Sequence, residues 1–552
     1  MPEVSNSPLP GQMMRRPLLV SSLLRHADRY FGGRAIVSYG EDGARHSYTW
    51  RDCHARARHL AQALEGRGVH MGERVATLAW NGYRHLELYY GISGMGAVIH
   101  MVNPRLHADQ LAHILNDAGS QYLFFERSFA PQVRAIADRC PAMKGFIVLG
   151  DDDALQGIDG LPNLTSYEAL LANGSDDWSW PVFDEDAAAG LCYTSGTTGN
   201  PKGVLYSHRS TVLHAYAQVA PDAFNLSAGD TILAVVPMFH VNAWGLPYSA
   251  ALVGASLVLP GPSLGGATLH AMCEREGVTF SAGVPTVWLA LVNHLREHGL
   301  RFSSFRRVVI GGSACPPALM DSLRDEYGMQ VIHAFGMTEL SPLATVCTPQ
   351  AQHAALGRDA MRALLRKQGH VLYGIDVRIV DDDRAELPWD GATCGHLQAR
   401  GHWVADAYFG QVPGSAVQDG WFPTGDIANI SADGYVQITD RSKDLIKSGG
   451  EWIASIDLEN IAMAHPAVQL AACVGVAHDK WDERPLLVVV VRPGARVDGA
   501  ELLALYDGKV ARWWVPDDVV FVDRLPIGPT GKVLKHEVRA RFHAHLRQQG
   551  QQ

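Results

Sequence analysis

Strand-like and helix-like runs alternate through most of this chain, and no other feature restricts its fold as much. "ERVATLAW" precedes "GYRHLELYYGISGMGAV", "QYLFFE" precedes "APQVRAIADRC", and "RRVVIGGSA" runs into "PPALMDSLRDEYG". Strands separated by helices predict parallel sheets covered by helices, with functional loops at the strand ends. At 552 residues the chain is too long for one ordinary core. From about Gly374 the texture changes to short alternating strands such as "IDVRIVDDD" and "GYVQITD", separated by Asp/Gly turns. These predict a small barrel or antiparallel sheet. A charged, glycine-punctuated stretch then leads into a compact unit of helix, two strands and a last helix. The predicted architecture is α/β: a large N-terminal domain (residues 1–440) of helix-covered sheets with a barrel-like subdomain, then a small α+β domain (441–552).

Composition narrows the function. A hydrophobic share of 47% and a charged share of 19% are those of a globular protein. A net charge of −10 gives no reason to expect nucleic acid, although a local site on an acidic protein can still be positive. The eight cysteines form no C-x-x-C pair and no Cys/His ligand spacing, so they read as reduced, structural thiols of a cytoplasmic protein. No apolar run is long enough to span a bilayer. "PLLVSSLL", interrupted by serines and followed by "RHADRYF", reads as an amphipathic opening helix rather than a signal peptide.

The densest chemical signal is "YTSGTTGNPKG", Tyr193–Gly203. Glycines let backbone N–H groups approach an anion, hydroxyls donate to its oxygens, and Lys202 adds charge. The spacing G-x-x-x-x-G-K-[ST] is absent, so this is a phosphate grip of another kind. A flexible linker has similar composition, but the apolar runs on both sides read as structured flanks.

Five further motifs follow in order: "PMFHVNAWG", "HAFGMTE", "WFPTGDIA", "DRSKDLIKSGGEWIAS" and "PTGKVLK". Together with the loop they resemble the adenylate-forming acyl-CoA synthetases over roughly residues 17–545, most closely the medium- to long-chain fatty-acid–CoA ligases around Trp244 and Trp452. The resemblance implies ATP, Mg²⁺ and CoA as cofactor and co-substrates. A carboxylate attacks the ATP α-phosphate, giving acyl-adenylate and pyrophosphate, and the CoA thiol then displaces AMP. On this reading Thr194, Ser195, Gly196, Thr197, Thr198, Gly199 and Lys202 hold the β- and γ-phosphates. Gly312, Ser313, His333, Ala334, Phe335 and Gly336 hold AMP, with Phe335 stacking on adenine. Thr338 contacts the α-phosphate, and Glu339 with Thr194 holds the metal. Asp426 takes the ribose hydroxyls, helped by Arg441. Lys532 bridges carboxylate and α-phosphate in the first step, with Lys535 as the nearest decoy and a control. A hinge at Lys443 then lets the small, mobile domain rotate, bringing Lys447 toward the nucleotide and opening a pantetheine channel past Gly449, Gly450 and Trp452. The family usually has glycine and tyrosine where this chain has Ala334 and Phe335. Stacking needs only the ring face, so affinity is expected to change without being lost.

His240, Val241, Trp244 and Gly245 fall on the acyl side, His240 with a catalytic role beside the adenylate and Trp244 as a tunnel gate. Taken alone, His240 and Trp244 would read as packing residues at a helix opening. No Arg or Lys lies in that segment to pair with a second carboxylate, which favours an apolar monocarboxylic acid, first of all a fatty acid. Ligases for a 3-methylthiopropionate-like, aryl or steroid side-chain acid share the motifs, as would a carrier-loading enzyme or a luciferase-like oxygenase. From another class, a catalytically silent ATP-binding protein is opposed by the joint presence of Lys202, Glu339, Asp426, Arg441 and Lys532. The resemblance allows a homodimer through the large domain.

Overall fold

A computed structural model of the chain describes residues 11–194, 201–449, 451–528 and 532–546, and of Glu451 the backbone alone. The expected opening helix is Val20–Phe31, which buries Val20, Leu23, Leu24 and Ala27 on one stripe. Behind it stand two large sheets. The first has nine strands, and its centre is parallel: Gln330–Gly336, Arg307–Ile310, Phe280–Gly283, Thr231–Leu233, Ser256–Leu259 and Ala35–Tyr39. The second has seven strands, parallel except where Ala188–Thr194 pairs with Lys202–Ser207. Parallel strands are covered on both faces and therefore read as near-continuous apolar runs, as "QYLFFE" and "RRVVIGG" do.

The change of texture near Gly374 is a change of sheet. Ile375–Val380, Gly395–Gly401, Phe422–Ile430 and Val436–Arg441 form a four-stranded antiparallel sheet. After Arg441 the chain joins a five-stranded sheet built on the long hairpin of Val468–His478 and Asp482–Val491. Helices Ser455–Met463 and Lys535–Phe542 accompany it, and its apolar residues form their own clusters around Leu458, Leu487, Val474 and Val488. No helix among the described residues is long and apolar enough to cross a membrane. Seven cysteines are buried, all eight are free, and only Cys394 is exposed.

Candidate active site

A cavity of about 680 Å³ opens where the large sheets, the four-stranded sheet and the small domain converge. Each wall comes from a different part of the chain. Thr194 and Lys202 sit opposite one another at the mouth of an antiparallel pair, and both line the cavity. The loop they hold, with Ser195, Gly196, Thr197, Thr198 and Gly199, lies outside the described residues. Ala334, Phe335 and Gly336, at the end of a central parallel strand, form a second wall with Thr338 and Glu339. The Glu339 carboxylate accepts from Tyr408 Oη at 3.0 Å, and the Lys202 ammonium lies 4.8 Å from the centre of that same ring.

The third wall carries charge. Arg441 Nε stands 2.7 Å from Asp426 Oδ1, whereas Asp426 Oδ2 is buried with no hydrogen-bond partner among the described residues. An orphaned buried acceptor is costly unless a donor arrives. Two adjacent hydroxyls, as on a ribose, would supply donors. Burial raises the Asp426 carboxyl above its ordinary value, against the pull of Arg441 and Lys532. Lys532 reaches the cavity from the last stretch of the small domain, where Gly528 N donates to Lys532 O at 2.7 Å. Burial, with the nearby charge of Arg441, depresses its ammonium to about 8, while Asp426 and Glu339 oppose the shift. Lys443 lines the same wall and is likewise lowered by burial. Arg105, Lys202, Arg441, Lys443 and Lys532 therefore line one space with the Glu339 carboxylate, while Asp426 stands behind Arg441, an excess of positive charge that suits an anionic ligand. The Glu339 carboxylate has the chemistry of a hard oxygen donor, the kind that suits Mg²⁺. No group of three or more metal-ligating side chains occurs among the described residues, so a cation here would take further ligands from phosphate.

The acyl side is apolar and unusual in backbone. Val241, Asn242, Ala243, Trp244 and Gly245 all have positive φ (38°, 57°, 49°, 55° and 81°), a left-handed turn ahead of helix Leu246–Val253. Such a turn disfavours each L-residue by about 1–2 kcal/mol, so the surroundings must impose it. Gln218 Nε2 donates to Trp244 O at 2.6 Å, Ser249 Oγ donates to Gln218 Oε1 at 2.5 Å, and Val241 N donates to Cys192 Sγ at 3.3 Å. All three partners are buried and come from outside the turn, which is why the sequence suggested only a helix opening. The turn lays the Trp244 indole over Gly311 and Gly312. A Cβ on Gly312, whose φ is +82°, would stand 3.2 Å from Val284 Cγ1, 3.3 Å from Trp244 Cζ2 and 3.8 Å from Lys532 Cε. Gly312 is thus where the acyl wall and the lysine meet. Burial and the Lys532 charge depress His240 to about 3, leaving the ring neutral at physiological pH.

The cavity gathers Thr194, Lys202, His240, Val241, Trp244, Gly312, Ala334, Phe335, Gly336, Thr338, Glu339, Arg441, Lys443 and Lys532 into one lining, with Asp426 behind Arg441. Other expected residues stand apart from it. His333 is buried with Nδ1 at 2.8 Å from Arg366 O, Ser313 is exposed, and Gly245 packs against His214. Lys447 lies 4.6 Å from the Trp452 ring centre on a small-domain hairpin; Gly449 follows it, and Gly450 lies outside the described residues. Cys315 is buried, and burial pushes its thiol well up, which leaves it unreactive. Lys535 is not solvated: its ammonium is 2.7 Å from Glu459 Oε1 and 13% exposed, so it is no neutral comparison for Lys532. Among the cavity residues that the motif reading did not name, two carry polar or charged groups of note. Tyr408 lies in an irregular segment with no periodic signal. Arg105 comes from "NPRL" and sits 5.9 and 5.8 Å from the ring centres of Trp80 and Phe239, putting a cation in a cavity whose acyl segment has none.

Comparison with known proteins agrees with this arrangement. The profile of the AMP-binding enzyme family matches residues 23–409, and that of the AMP-binding enzyme C-terminal domain matches residues 457–532. The chain is 51% identical to a 3-methylmercaptopropionyl-CoA ligase of Ruegeria lacuscaerulensis over 96% of its own length and 98% of that protein's. It is 49% identical to a medium-chain-fatty-acid–CoA ligase of Ectopseudomonas oleovorans, over 96% and 97%. Its fold superposes on that of an anthranilate CoA ligase in complex with anthranoyl-AMP with a TM-score of 0.85, at 23% identity, over 96% of this chain and 98% of the other.

Proposed function

The chain belongs to the AMP-binding enzyme family and is an AMP-forming acid–thiol ligase; from that premise we propose that its acid is an apolar monocarboxylate, a medium- to long-chain fatty acid, converted through its adenylate to the CoA thioester. The observation that carries the reading is the pairing of a charged wall with an apolar one in a single cavity. Phe224, Val235, Val236, Leu264, Val284 and Val287 line the cavity together with Trp244, and none of the six is ionisable. An alkyl chain gains about 25 cal/mol per Å² of apolar surface buried there, whereas a second carboxylate would meet no cation among those six side chains, the cavity's Arg105 lying against Trp80 and Phe239 instead.

In the first half-reaction a carboxylate oxygen bonds to the α-phosphorus and the bond to the pyrophosphate oxygen breaks. Lys532 sets a fixed positive charge between the two approaching anions, Thr338 donates to the α-phosphate, and Asp426 with Arg441 holds the ribose. Glu339 would hold Mg²⁺ against the phosphates, where the cation would offset phosphate charge. In the second half-reaction the CoA sulfur bonds to the acyl carbon, the thiol proton is lost to solvent, and AMP leaves. Lys447, Gly449 and Trp452 lie off the cavity in this arrangement. Their service to CoA therefore rests on rotation of the small domain about Lys443, as the motif order implies.

A second reading is favoured by one specific observation, the 51% identity to a 3-methylmercaptopropionyl-CoA ligase. That acid is also apolar and monocarboxylic, but short. Pyrophosphate and AMP release should be followed with straight-chain acids of increasing length and with 3-methylmercaptopropionate, with and without CoA. CoA-dependent AMP release peaking at medium or long chains supports the first reading, and a maximum at the thioether acid replaces it with the second. No acid-dependent pyrophosphate release from any of them would overturn both.

A further inference from the structure

The seam between the four-stranded sheet and the small domain contains a buried polar chain that the catalytic reading does not use. Asp440, 1% exposed, is the penultimate residue of the last strand of the four-stranded sheet, Val436–Arg441. Its Oδ2 accepts from Ser455 N at 2.6 Å and from Ser455 Oγ at 2.7 Å, at the start of the small-domain helix Ser455–Met463. Ser455 Oγ in turn accepts from Lys535 Nζ at 2.7 Å, and Lys535 Nζ is 2.7 Å from Glu459 Oε1. Glu459 Oε1 also accepts from Cys473 N at 2.8 Å, tying the chain into the long hairpin.

Neighbouring residues on an extended strand point to opposite faces. Hence Arg441 addresses the cavity while Asp440 addresses the seam. The segment carrying Lys532 and Lys535 divides its cations in the same way: Lys532 enters the cavity, and Lys535, three residues on at the start of helix Lys535–Phe542, enters the seam. In the stretch that presents Lys532, Leu534 N donates to Pro526 O at 2.9 Å, directly before Lys535. We propose that Asp440, Ser455 and Lys535 are positioning residues that hold Lys532 beside Arg441 and Asp426, so that this seam contact sets the adenylate-forming arrangement of the two domains. Its members touch no substrate. Asp440 and Ser455 stand on opposite sides of Lys443, so rotation about that residue separates them and breaks the contact. The inference rests on the CoA-ligase reading above for its kinetic consequence, but not for its structural one.

Two measurements on the full-length enzyme test it, with Ser455→Ala and Asp440→Asn beside the unaltered chain. Acid-dependent ATP–pyrophosphate exchange should fall at least tenfold in both variants, while thioester formation from supplied acyl-AMP and CoA stays within about twofold of the parent or rises. Equal losses in both half-reactions, or no loss in exchange, overturn the proposal. Amide hydrogen exchange without any ligand is independent of the substrate. Faster exchange at residues 442–449 and 532–542 is expected in the variants, with the large sheets unchanged. Unchanged exchange in those segments, or acceleration throughout the chain, overturns it. An unaltered enzyme that activates none of the acids refutes the ligase reading instead, and hydrogen exchange still decides the seam contact.

Discussion

Arg441 Nε occupies one oxygen of Asp426 at 2.7 Å and leaves the other buried and unpartnered. The pair is therefore half complete, and a ligand that brings hydroxyl donors completes it. Asp426→Asn keeps the shape but removes the charge. A hydrogen bond to a charged group contributes about 1.5–3 kcal/mol, so kcat/KM for ATP should fall by about tenfold to a hundredfold, the change appearing mainly in KM. Isothermal binding of ATP to the variant checks this directly; unaltered affinity would remove Asp426 from the nucleotide site.

Lys532 must be protonated to bridge two anions. Because its folded value is depressed to about 8, the active ammonium is present below that pH and is lost as pH rises through it, well before an ordinary lysine would titrate. The profile of kcat/KM for adenylate formation, which reports the free enzyme, should therefore fall with an apparent pKa near 8. Lys532→Arg should hold its rate flat across that range. Lys532→Ala should abolish adenylate formation yet leave thioesterification of supplied acyl-AMP measurable.

His240 yields a prediction of silence. Its ring is held neutral, with a value depressed to about 3 by burial and then by Lys532, so no histidine step should appear in the same profile between pH 5 and 7. A break near 6.5 that disappears in His240→Asn would show the ring to be charged in use, and the neutral description would fall.

Gly312 leaves no room for a methyl without displacing Trp244 or Val284, and its φ of +82° is itself unfavourable for alanine. Gly312→Ala should shift acyl preference and slow adenylate formation together, because the same Cβ approaches Lys532. Trp244→Ala should change the chain-length profile more than the KM for ATP. An identical acyl profile in both variants would show that the indole does not limit the tunnel.

Gln218 connects the left-handed turn to Ser249. Gln218→Leu leaves the Trp244 carbonyl and the Ser249 hydroxyl unpaired in the interior, at a cost of about 1–3 kcal/mol for each unsatisfied group. Lower thermal stability and a broadened acyl profile are expected. A scanning calorimetry trace identical to the parent's would mean that the turn is held without it.

Sequence-level reasoning went furthest where local pattern and local structure coincide. Alternating runs foretold the helix-covered sheets, and Glu339 and Lys532, marked by the motifs that carry the family resemblance, line the cavity with Asp426 behind Arg441. The order of nine strands in one sheet was not legible, because it is set by pairings between segments far apart in the chain. Nor was the left-handed turn at residues 241–245, which is imposed by Gln218 and Cys192 from outside it. Lys535 shows the same limit in reverse. A lysine near a C-terminus reads as solvated until a distant carboxylate, Glu459, is folded against it. Burial then works against its charge, but Glu459 and Asp440 carry the ammonium above the ordinary lysine value.

The cysteine distribution has a practical side for studying a protein whose co-substrate is itself a thiol. Seven sulfurs are shut away and Cys394 alone faces solvent, just before the strand Gly395–Gly401 of the four-stranded sheet. Oxidised coenzyme therefore finds a single point of attack for mixed-disulfide formation. A maleimide dye finds the same point, already in place on the large domain. One cysteine introduced on the exposed surface of the last helix would complete a donor–acceptor pair, and the rotation proposed for the small domain could be tested one molecule at a time in an otherwise unaltered chain.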